Sequence, residues 1–562
     1  MEERAGWHPW ALLIALLLVA LLLRGWNFPR EREIRDIDEF GYLVSSLNLA
    51  EGVTPAFKAA PGGAQIWLGW SYVITKTSAL LVRPTPEERD VPLAVRPYVA
   101  LNHVLWDCYY NIGPLRRFEL ICIGIASVLA VIPAFFLGRH YAGLIGAIFL
   151  GGLVAILPLF VSLSGQTRPY SLAWSIGWFA IWQAVRSAPR GRFALAAALV
   201  GLAIATRVEM LLVLPFVVAE HLVNGPAEGR ARRALFFVLV SMLAAAAAAP
   251  WFTIGILGNL KSIAGVRLMA GGNERPSIIR CLIDFGWTGA LLVPLLLVLL
   301  AIFSPLPANL RRYRRLALAA ALLSLMVLRP SGYGAQHDGP VYLLISLYSV
   351  IGLAALARWS VRTTQISVFI ALLLATAQCV YKVHNDRKAY APVADEQWIE
   401  KYIPAGTKIY FSSAHYRPIL PTPQSANAIW MSVVDPSTWE RKFRWGTERL
   451  GVVSSEAPRA LSMDGMAKEI GFARQWYILG GRTFVNSPRY DLHVFGQSAA
   501  QEQVDFPAVF AQGSCVIASR EAIPSLGKPT AQWTSGGQVR AAIYCTKDIA
   551  DKIPPQAKDH QP

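Results

Sequence analysis

The stretch FELICIGIASVLAVIPAFFLGRHYAGLIGAIFLGGLVAILPLFVSL, residues 118–163, contains only two charged side chains, Glu119 and Arg139. A transmembrane helix needs about 20 apolar residues, so the stretch is long enough for two, with Arg139 between them. Residues 8–27 and 233–257 are almost as poor in charge, whereas residues 385–562 have the mixed polarity of a soluble domain. The pattern predicts a polytopic helical membrane protein with a soluble last third.

The overall composition agrees with a membrane location. Of 562 residues, 54% are hydrophobic and 16% charged, whereas soluble domains have about 25% charged residues. The formal net charge of +17 raises the alternative of nucleic-acid binding. We exclude it because the basic residues form short clusters between apolar segments, with no basic stripe interleaved with aromatic side chains.

About eleven segments are predicted to span the membrane. They are residues 8–27, 115–138, 141–163, 169–187, 192–206, 208–223, 233–256, 284–303, 315–329, 339–357 and 364–382. The first has the length of a signal-peptide core, but no small-residue cleavage site follows it, so we interpret it as a retained helix.

The basic residues predict an orientation. With a cytoplasmic N-terminus, every cytoplasmic loop is basic, as the positive-inside rule requires. These loops hold Arg139; Arg186, Arg190 and Arg192; Arg230, Arg232 and Arg233; Arg311, Arg312, Arg314 and Arg315; and Arg358 and Arg362. We predict a multi-pass domain of the inner (plasma) membrane, residues 1–384, whose first outside loop is 28–114, and an extracytoplasmic domain, residues 385–562.

The extracytoplasmic domain is predicted to be α/β. Short β-type runs occur at 408–413, 475–481, 490–496, 508–519 and 539–547, with helical stretches between them. Cys515 and Cys545 both fall on predicted strands in an oxidising compartment. A disulfide between them and two free buried thiols both remain open.

The first outside loop begins with an amphipathic helix, because Phe40, Leu43, Val44 and Leu47 recur at helical spacing. Its first turn contains the acids Asp38 and Glu39. One interpretation is a helix cap, for which Asp36 is also suitable, and an acid that complements the helix dipole. The other is a reactive pair above a cavity between the membrane helices.

Several motifs carry a resemblance to a known family. They are DEFGY (38–42) after the first span, NLAEG (48–52), LRRFELICIGIASVLAVIPAFFLGRHYAG (115–143), SLSGQTRPYSLAW (162–174), GLAIATRVEMLLVLP (201–215) and EQWIEKYIPAGTKIYFSS (396–413). In this order they resemble the GT-C superfamily of membrane glycosyltransferases. The nearest kinds are the protein O-mannosyltransferases and the lipid A aminoarabinose or galacturonic acid transferases. The resemblance covers most of residues 8–223 and weakens over 224–380.

The resemblance implies transfer of a sugar from a polyprenyl-phosphate donor to an acceptor, which is a lipid, glycan or protein outside the cytoplasm. It implies that Asp38 is the general base, with Glu39 and Tyr42 supporting it, and that the anomeric carbon is inverted. No metal signature is found in the sequence, and the resemblance implies no cofactor beyond the donor itself. A divalent ion held by an Asp-Glu pair, as in the oligosaccharyltransferase branch of the superfamily, remains an open alternative, although the further acidic motif of that branch is not found here.

A cationic group must hold the donor phosphate. The candidates are Arg168 with Tyr170, Arg207 with Glu209, Arg329, His337 and Asp338 in the turn 329–342, and Lys58 in the first loop. Arg267, Arg275 and Arg280 lie in the loop 257–283, which is a candidate lid. Each has an ordinary structural alternative: a mutual ion pair for Arg207 and Glu209, and a polar turn for 329–342.

Two other functions fit part of the pattern. A transporter or flippase of a lipid-linked sugar accounts for the helices and buried charges, but it needs neither the soluble tail nor Asp38 and Glu39, and no internal repeat favours it. An enzyme similar to the O-antigen ligases would place its reactive residues in a large late outside loop.

Overall fold

The computed structural model describes the helical part of the chain and parts of the tail. The described residues are 8–29, 112–249, 286, 290–327, 338–389, 398, 401–404, 407–412, 491–495, 514–519, 526–535, 538–555 and 559–560. The chain forms two compact units, one including Met1–Phe28 and Glu119–Arg387, the other including Ile66–Phe118 and Lys388–Pro562.

The first unit is a helical bundle. Its helices are α1 (His8–Asn27), α2 (Ile112–Leu129), α3 (Val131–Ile156), α4 (Pro158–Ser164), α5 (Pro169–Ser187), α6 (Ala194–Thr206), α7 (Leu214–Asn224), α8 (Arg230–Ala248), α9 (Leu292–Phe303), α10 (Arg314–Val327), α11 (Gly339–Trp359) and α12 (Val361–Ala389). Short 3₁₀ helices cover Ala188–Arg190, Val208–Leu212 and Arg311–Tyr313.

Five stretches of the described residues are long and apolar enough to cross a membrane: Pro9–Asn27, Arg117–Ile156, Arg230–Ala248, Gly339–Trp359 and Val361–Arg387. Helix α11 is buried over most of its length. By contrast, Leu243 on α8 and Phe369 on α12 are 68% and 66% exposed. Large apolar side chains facing outward from peripheral helices are what lipid requires and what water disfavours.

Of the other predicted spans, 169–187 coincides with α5, which has 19 residues, and the rest coincide with helices of 11 to 14 residues. Length alone therefore does not give eleven crossings. The predicted span 208–223 is divided at Val213 into a 3₁₀ helix and α7. Pro215, in the first turn of α7, explains the break, because its ring cannot continue a helix from the preceding turn.

The predicted loop at Arg139 is present inside α3. Ala142 and Gly143 have non-helical dihedral angles, with φ of 63° at Gly143. A Cβ added to Gly138 would collide with the carbonyl of Gly146, although eight residues of straight helix span about 12 Å. The chain therefore folds back on itself here, and glycine permits the close approach of the two backbones.

Helix α5 has 19 residues, about 28 Å of length, and separates two ends of the bundle. At its C-terminal end, His221 Nδ1 lies 3.2 Å from the Ala184 carbonyl. At its N-terminal end, Trp174 stacks on Phe160, with ring centroids 5.7 Å apart, and the guanidinium carbon of Arg24 lies 5.3 Å from the Phe160 centroid. We call these the Asn224 end and the Asn27 end, after the nearby ends of α7 and α1.

At the Asn224 end, a buried carboxylate connects separate segments of the bundle. Glu220 accepts hydrogen bonds from the hydroxyl groups of Tyr141, at 2.7 Å, and Tyr348, at 3.0 Å. Tyr313 donates to Asn224 Oδ1 at 2.7 Å. Burial, which has the largest effect, and the nearby Glu220 carboxylate raise the pKa of Tyr313 to about 12. The Tyr313 hydroxyl therefore keeps its proton and is the hydrogen-bond donor. These bonds connect four separate segments of the bundle.

At the Asn27 end, α3 stops at Ile156 and α4 starts at Pro158, with Leu157 extended between them. Pro158 has no N–H, so the Val154 carbonyl loses its helical partner. The buried guanidinium of Arg24 donates to the carbonyls of Val154, at 3.2 Å, and Ala155. Its Nε donates to Ser127 Oγ at 3.0 Å. One side chain therefore satisfies the acceptors that the proline break exposes.

Replacing Arg24 by Met is expected to lower the free energy of unfolding by about 3 kcal/mol, because the buried carbonyls lose charge-assisted hydrogen bonds. Thermal unfolding of the full chain in detergent measures the change. Arg358→Met, at an exposed arginine, is the control and should unfold within a few degrees of the unsubstituted protein. Equal unfolding temperatures for both variants would contradict the role of Arg24.

The described strands of the second unit form one mixed sheet in the order β2-β1-β3-β5-β4-β6. The strands are β1 (Lys408–Ser412), β2 (Asp491–Phe495), β3 (Ser514–Ser519), β4 (Ala531–Ser535), β5 (Gln538–Cys545) and β6 (Asp559–His560). Strand β1 runs parallel to β2 and β3, β5 runs antiparallel to β3 and β4, and β4 runs parallel to β6.

Four of the predicted strand segments contain strands, and the fifth, 475–481, lies outside the described residues. Strands β4 and β6 were not predicted, because AQWTS has only one large apolar residue and DH has only two residues. The prediction for 539–547 was too long, since α13 (Lys547–Ala550) begins there, with Thr546 at its N-cap.

Cys515 and Cys545 lie directly opposite each other on β3 and β5 and form a disulfide. The link closes a loop with a sequence separation of 30. Loop-closure entropy predicts that the Cys515→Ala/Cys545→Ala variant loses about 3.5 kcal/mol of tail stability. Urea-dependent proteolysis of the tail in the full chain measures this, with Cys122→Ala, at a free cysteine, as control. The same urea midpoint in both variants would contradict a stabilising disulfide.

Candidate functional site

The described residues include five of the predicted site residues: Arg168, Tyr170, Arg207, Glu209 and Asp338. The others lie outside the described residues and stay predictions. They are Asp38, Glu39, Tyr42, Lys58, Arg329 and His337, together with the lid candidates Arg267, Arg275 and Arg280.

Arg168 is the residue at which α5 begins. Its backbone is extended, with φ of −119° and ψ of 142°, and Pro169 opens the helix. Proline suits the first helical position, because its missing N–H has no helical acceptor there. The arginine therefore stands at a helix N-terminus, where backbone N–H groups and the helix dipole favour an anion.

The ring of Tyr170 is contacted by both predicted arginines. The guanidinium carbon of Arg168 is 4.9 Å from the centroid of the Tyr170 ring, and that of Arg207 is 4.2 Å from it. The two guanidinium groups are thus no farther apart than the sum of these distances. The exposed fractions are 3% for Arg168, 4% for Arg207 and 2% for Tyr170. The structure therefore brings together two segments that are almost 40 residues apart in the sequence.

Arg207 also forms an ion pair with Glu209. Its Nη2 lies 2.6 Å from Glu209 Oε1, and its Nε donates to Oε2 at 3.1 Å. Arg207 ends α6 in an extended conformation, and Glu209 lies in the 3₁₀ helix that follows. The structural alternative considered for this pair is therefore present. The ion pair does not exclude a phosphate-binding role for Arg207, because Arg207 also contacts the ring of Tyr170.

Asp338 reaches the same end of the bundle. It is buried and precedes Gly339, the first residue of α11. A Cβ on Gly339 would collide with the indole of Trp174, and Trp174 lies four residues, about one helical turn, beyond Tyr170 on α5. The end of the predicted turn 329–342 therefore packs one helical turn from Tyr170. We call Tyr170 and the arginines that contact it, Arg168 and Arg207, the Tyr170 cluster.

An aromatic row beside this cluster was not predicted. Trp174 stacks between Phe160 and Tyr342, with centroid distances of 5.7 Å and 5.9 Å. The sequence shows Trp174 and Tyr342 only as residues of apolar spans, where an aromatic side chain signals packing as readily as a site. Arg24 carried a better signal, because a charged residue at the end of an apolar span is costly unless it is paired.

Among the described residues, no group of three or more His, Cys, Asp or Glu side chains is arranged to hold a metal ion. This statement does not include Asp38 and Glu39, which lie outside the described residues.

Comparison with known proteins gives structural matches only. No family model and no curated protein matches the sequence. ArnT from Cupriavidus metallidurans in the apo state is 13% identical with a TM-score of 0.49, and the match covers 97% of this chain and 99% of that chain. ArnT from Cupriavidus metallidurans bound to undecaprenyl phosphate is 13% identical with a TM-score of 0.46 and the same coverage.

These structures are GT-C lipid A aminoarabinose transferases, the kind of enzyme that the sequence motifs resemble. The resemblance is confirmed as a structural match. At this identity and score it carries no argument about donor, acceptor or site residues.

Proposed function

We propose that the protein is a membrane glycosyltransferase that moves a sugar from a polyprenyl-phosphate donor to an acceptor on the extracytoplasmic face. The observation that carries the proposal is the Tyr170 cluster: two buried guanidinium groups on one aromatic ring at the N-terminus of α5. Glu209 adjoins the cluster as the ion-pair partner of Arg207. Guanidinium groups close to a helix N-terminus are suited to a phosphate group, because they form charge-assisted hydrogen bonds with its oxygens.

The distribution of basic residues supports the assigned side of the membrane. At the Asn224 end, Arg312 donates to the Val223 carbonyl and Arg233 to the Glu228 carbonyl, and Arg190 follows α5. Under the positive-inside rule this end faces the cytoplasm. The Tyr170 cluster then faces outward, and so do the end of α1, which leads to Asp38, and the end of α12, which leads to the tail.

The proposed reaction is a direct displacement. The acceptor hydroxyl oxygen bonds to the anomeric carbon while Asp38 takes its proton. The bond from that carbon to the phosphate oxygen breaks, and the polyprenyl phosphate leaves with the electron pair. Arg168 and Arg207 offset the negative charge that appears on the phosphate. A single displacement inverts the anomeric configuration, and we propose that it needs no metal.

Cleavage of the donor tests the proposal against the transporter alternative. The purified protein in lipid nanodiscs is incubated with undecaprenyl-phosphate-linked sugars and a cell-envelope extract, and released undecaprenyl phosphate is measured by mass spectrometry. A glycosyltransferase releases the carrier and forms a product of inverted anomeric configuration. If the donor stays intact while proteoliposomes move it between leaflets, the transporter is correct.

A further inference from the structure

Helix α1 binds the end of α3 just before α4 and also the C-terminal end of α4. Before it, Arg24 binds the last carbonyls of α3, those of Val154 and Ala155. At its C-terminal end, the side-chain amide of Asn27 donates to the carbonyl of Val161 at 2.6 Å and to that of Ser162 at 3.3 Å. Helix α4 has only seven residues, too few for a helix to be stable alone. Its orientation therefore depends on these contacts.

The last membrane helix holds α4 from another side. Ser162 Oγ donates to Asp386 Oδ2 at 2.6 Å, and Lys382 Nζ pairs with Asp386 Oδ1 at 2.6 Å. Both residues lie on α12. Ser162 is therefore bound through its carbonyl by α1 and through its hydroxyl by α12.

The turn that carries Arg168 starts from these same atoms. Gly165 N–H donates to the Ser162 carbonyl at 3.2 Å, which is also an acceptor for Asn27, and Gln166 N–H donates to the Leu163 carbonyl at 3.2 Å. Arg168 follows two residues after Gln166. A shift of the end of α4 is thus passed through a short, hydrogen-bonded turn to Arg168, whereas Arg207 belongs to α6 and is held separately.

We propose that Arg24 and Asn27 are positioning residues for the donor phosphate. By fixing α4 they hold the guanidinium group of Arg168 in its place beside Tyr170 and Arg207. This inference rests on the proposed function, because it gives Arg168 a phosphate to bind. Arg24 and Asn27 are buried and bind backbone carbonyls, so the proposal gives neither of them a contact with the donor. Their effect on donor affinity therefore passes through Arg168 and depends on its guanidinium group.

A double-mutant cycle measures that dependence. Asn27→Leu removes the amide donors at nearly constant volume, and Arg168→Gln removes the charge. Binding of undecaprenyl phosphate to the full chain in nanodiscs is measured for both single variants and the double variant. Asn27→Leu is expected to weaken binding about tenfold alone and less than about twofold in the Arg168→Gln background. Kinetics with the linked donor should show a raised KM in the Asn27→Leu variant.

Tyr313→Phe is the matched control, because it removes one hydrogen bond between segments at the Asn224 end. It should leave binding unchanged in both backgrounds. If Asn27→Leu does not fold, Arg24→Lys replaces it, since an ammonium group cannot reach Ser127 and both carbonyls together.

Three outcomes overturn the proposal. If Arg168→Gln weakens binding but Asn27→Leu does not, or if the two effects add fully, Asn27 does not act through Arg168, and the proposed function stands. If Arg168→Gln leaves binding unchanged, the phosphate-binding role of the Tyr170 cluster fails, and the positioning role fails with it.

Discussion

Asp38→Asn is expected to lower the rate of sugar transfer by about 10² to 10⁴-fold, because an amide cannot take the proton of the attacking hydroxyl. Binding of undecaprenyl phosphate should not change, since the Tyr170 cluster is intact and Asn is nearly isosteric with Asp. The measurement is kcat for transfer in nanodiscs, together with the dissociation constant of the carrier lipid. A loss confined to kcat identifies a group that acts in the transition state alone.

Asp36→Asn is the matched control for this experiment. It removes the same charge two residues earlier in the same segment, so a purely electrostatic or capping effect would appear in both variants. Transfer at the unsubstituted rate by Asp38→Asn would show that Asp38 is not the base. A loss in Asp36→Asn alone would move the assignment to Asp36.

The second large effect is expected at Arg207. Arg207→Gln removes one of the two guanidinium groups on Tyr170, and we expect transfer to fall by about 10² to 10³-fold, the usual effect of losing one group that stabilises charge in the transition state. Undecaprenyl phosphate should also bind more weakly. The single variant does not identify the cause, because it leaves the partly buried Glu209 carboxylate without its ion-pair partner.

The double variant Arg207→Gln/Glu209→Gln separates the two roles. It removes both charges of the ion pair, so the Glu209 carboxylate is not left without its partner. If the pair only stabilises the fold, the double variant should recover transfer to near the unsubstituted rate. If Arg207 holds the phosphate, transfer stays at the level of the single variant even though thermal stability recovers. Recovery of both would contradict a role of Arg207 in the reaction.

The candidate phosphate-binding arginines and the candidate base were not equally predictable from the sequence. Arg168 and Arg207 were recognisable because a charged residue at membrane depth has few reasons to be there. Their meeting at Tyr170 was not predictable, because it needs the N-terminal end of α5 to lie beside the C-terminal end of α6. For Asp38, the sequence and the resemblance remain the only support.

Arg24 and Asn27 show what sequence patterns leave out. Both close the first apolar span, where polar residues are typical of the membrane interface. Their partners are backbone carbonyls more than 100 residues later, and a carbonyl has no sequence signature. Pro158 was the only local sign that such acceptors would need a donor.

The sequence by itself predicted a polytopic helical membrane protein and, through the basic residues between its apolar segments, an orientation for it. The reason is that lipid offers the backbone no hydrogen-bond partners, so each spanning helix must form its backbone hydrogen bonds within itself. Each span is therefore recognisable locally as a run of apolar residues. Only the tertiary structure decided which polar groups meet inside the bundle: Arg168 with Arg207 around Tyr170, and α1 with the break before α4. Such contacts depend on helix packing and on where a ladder of hydrogen bonds is broken. Both are properties of several segments together and of none alone.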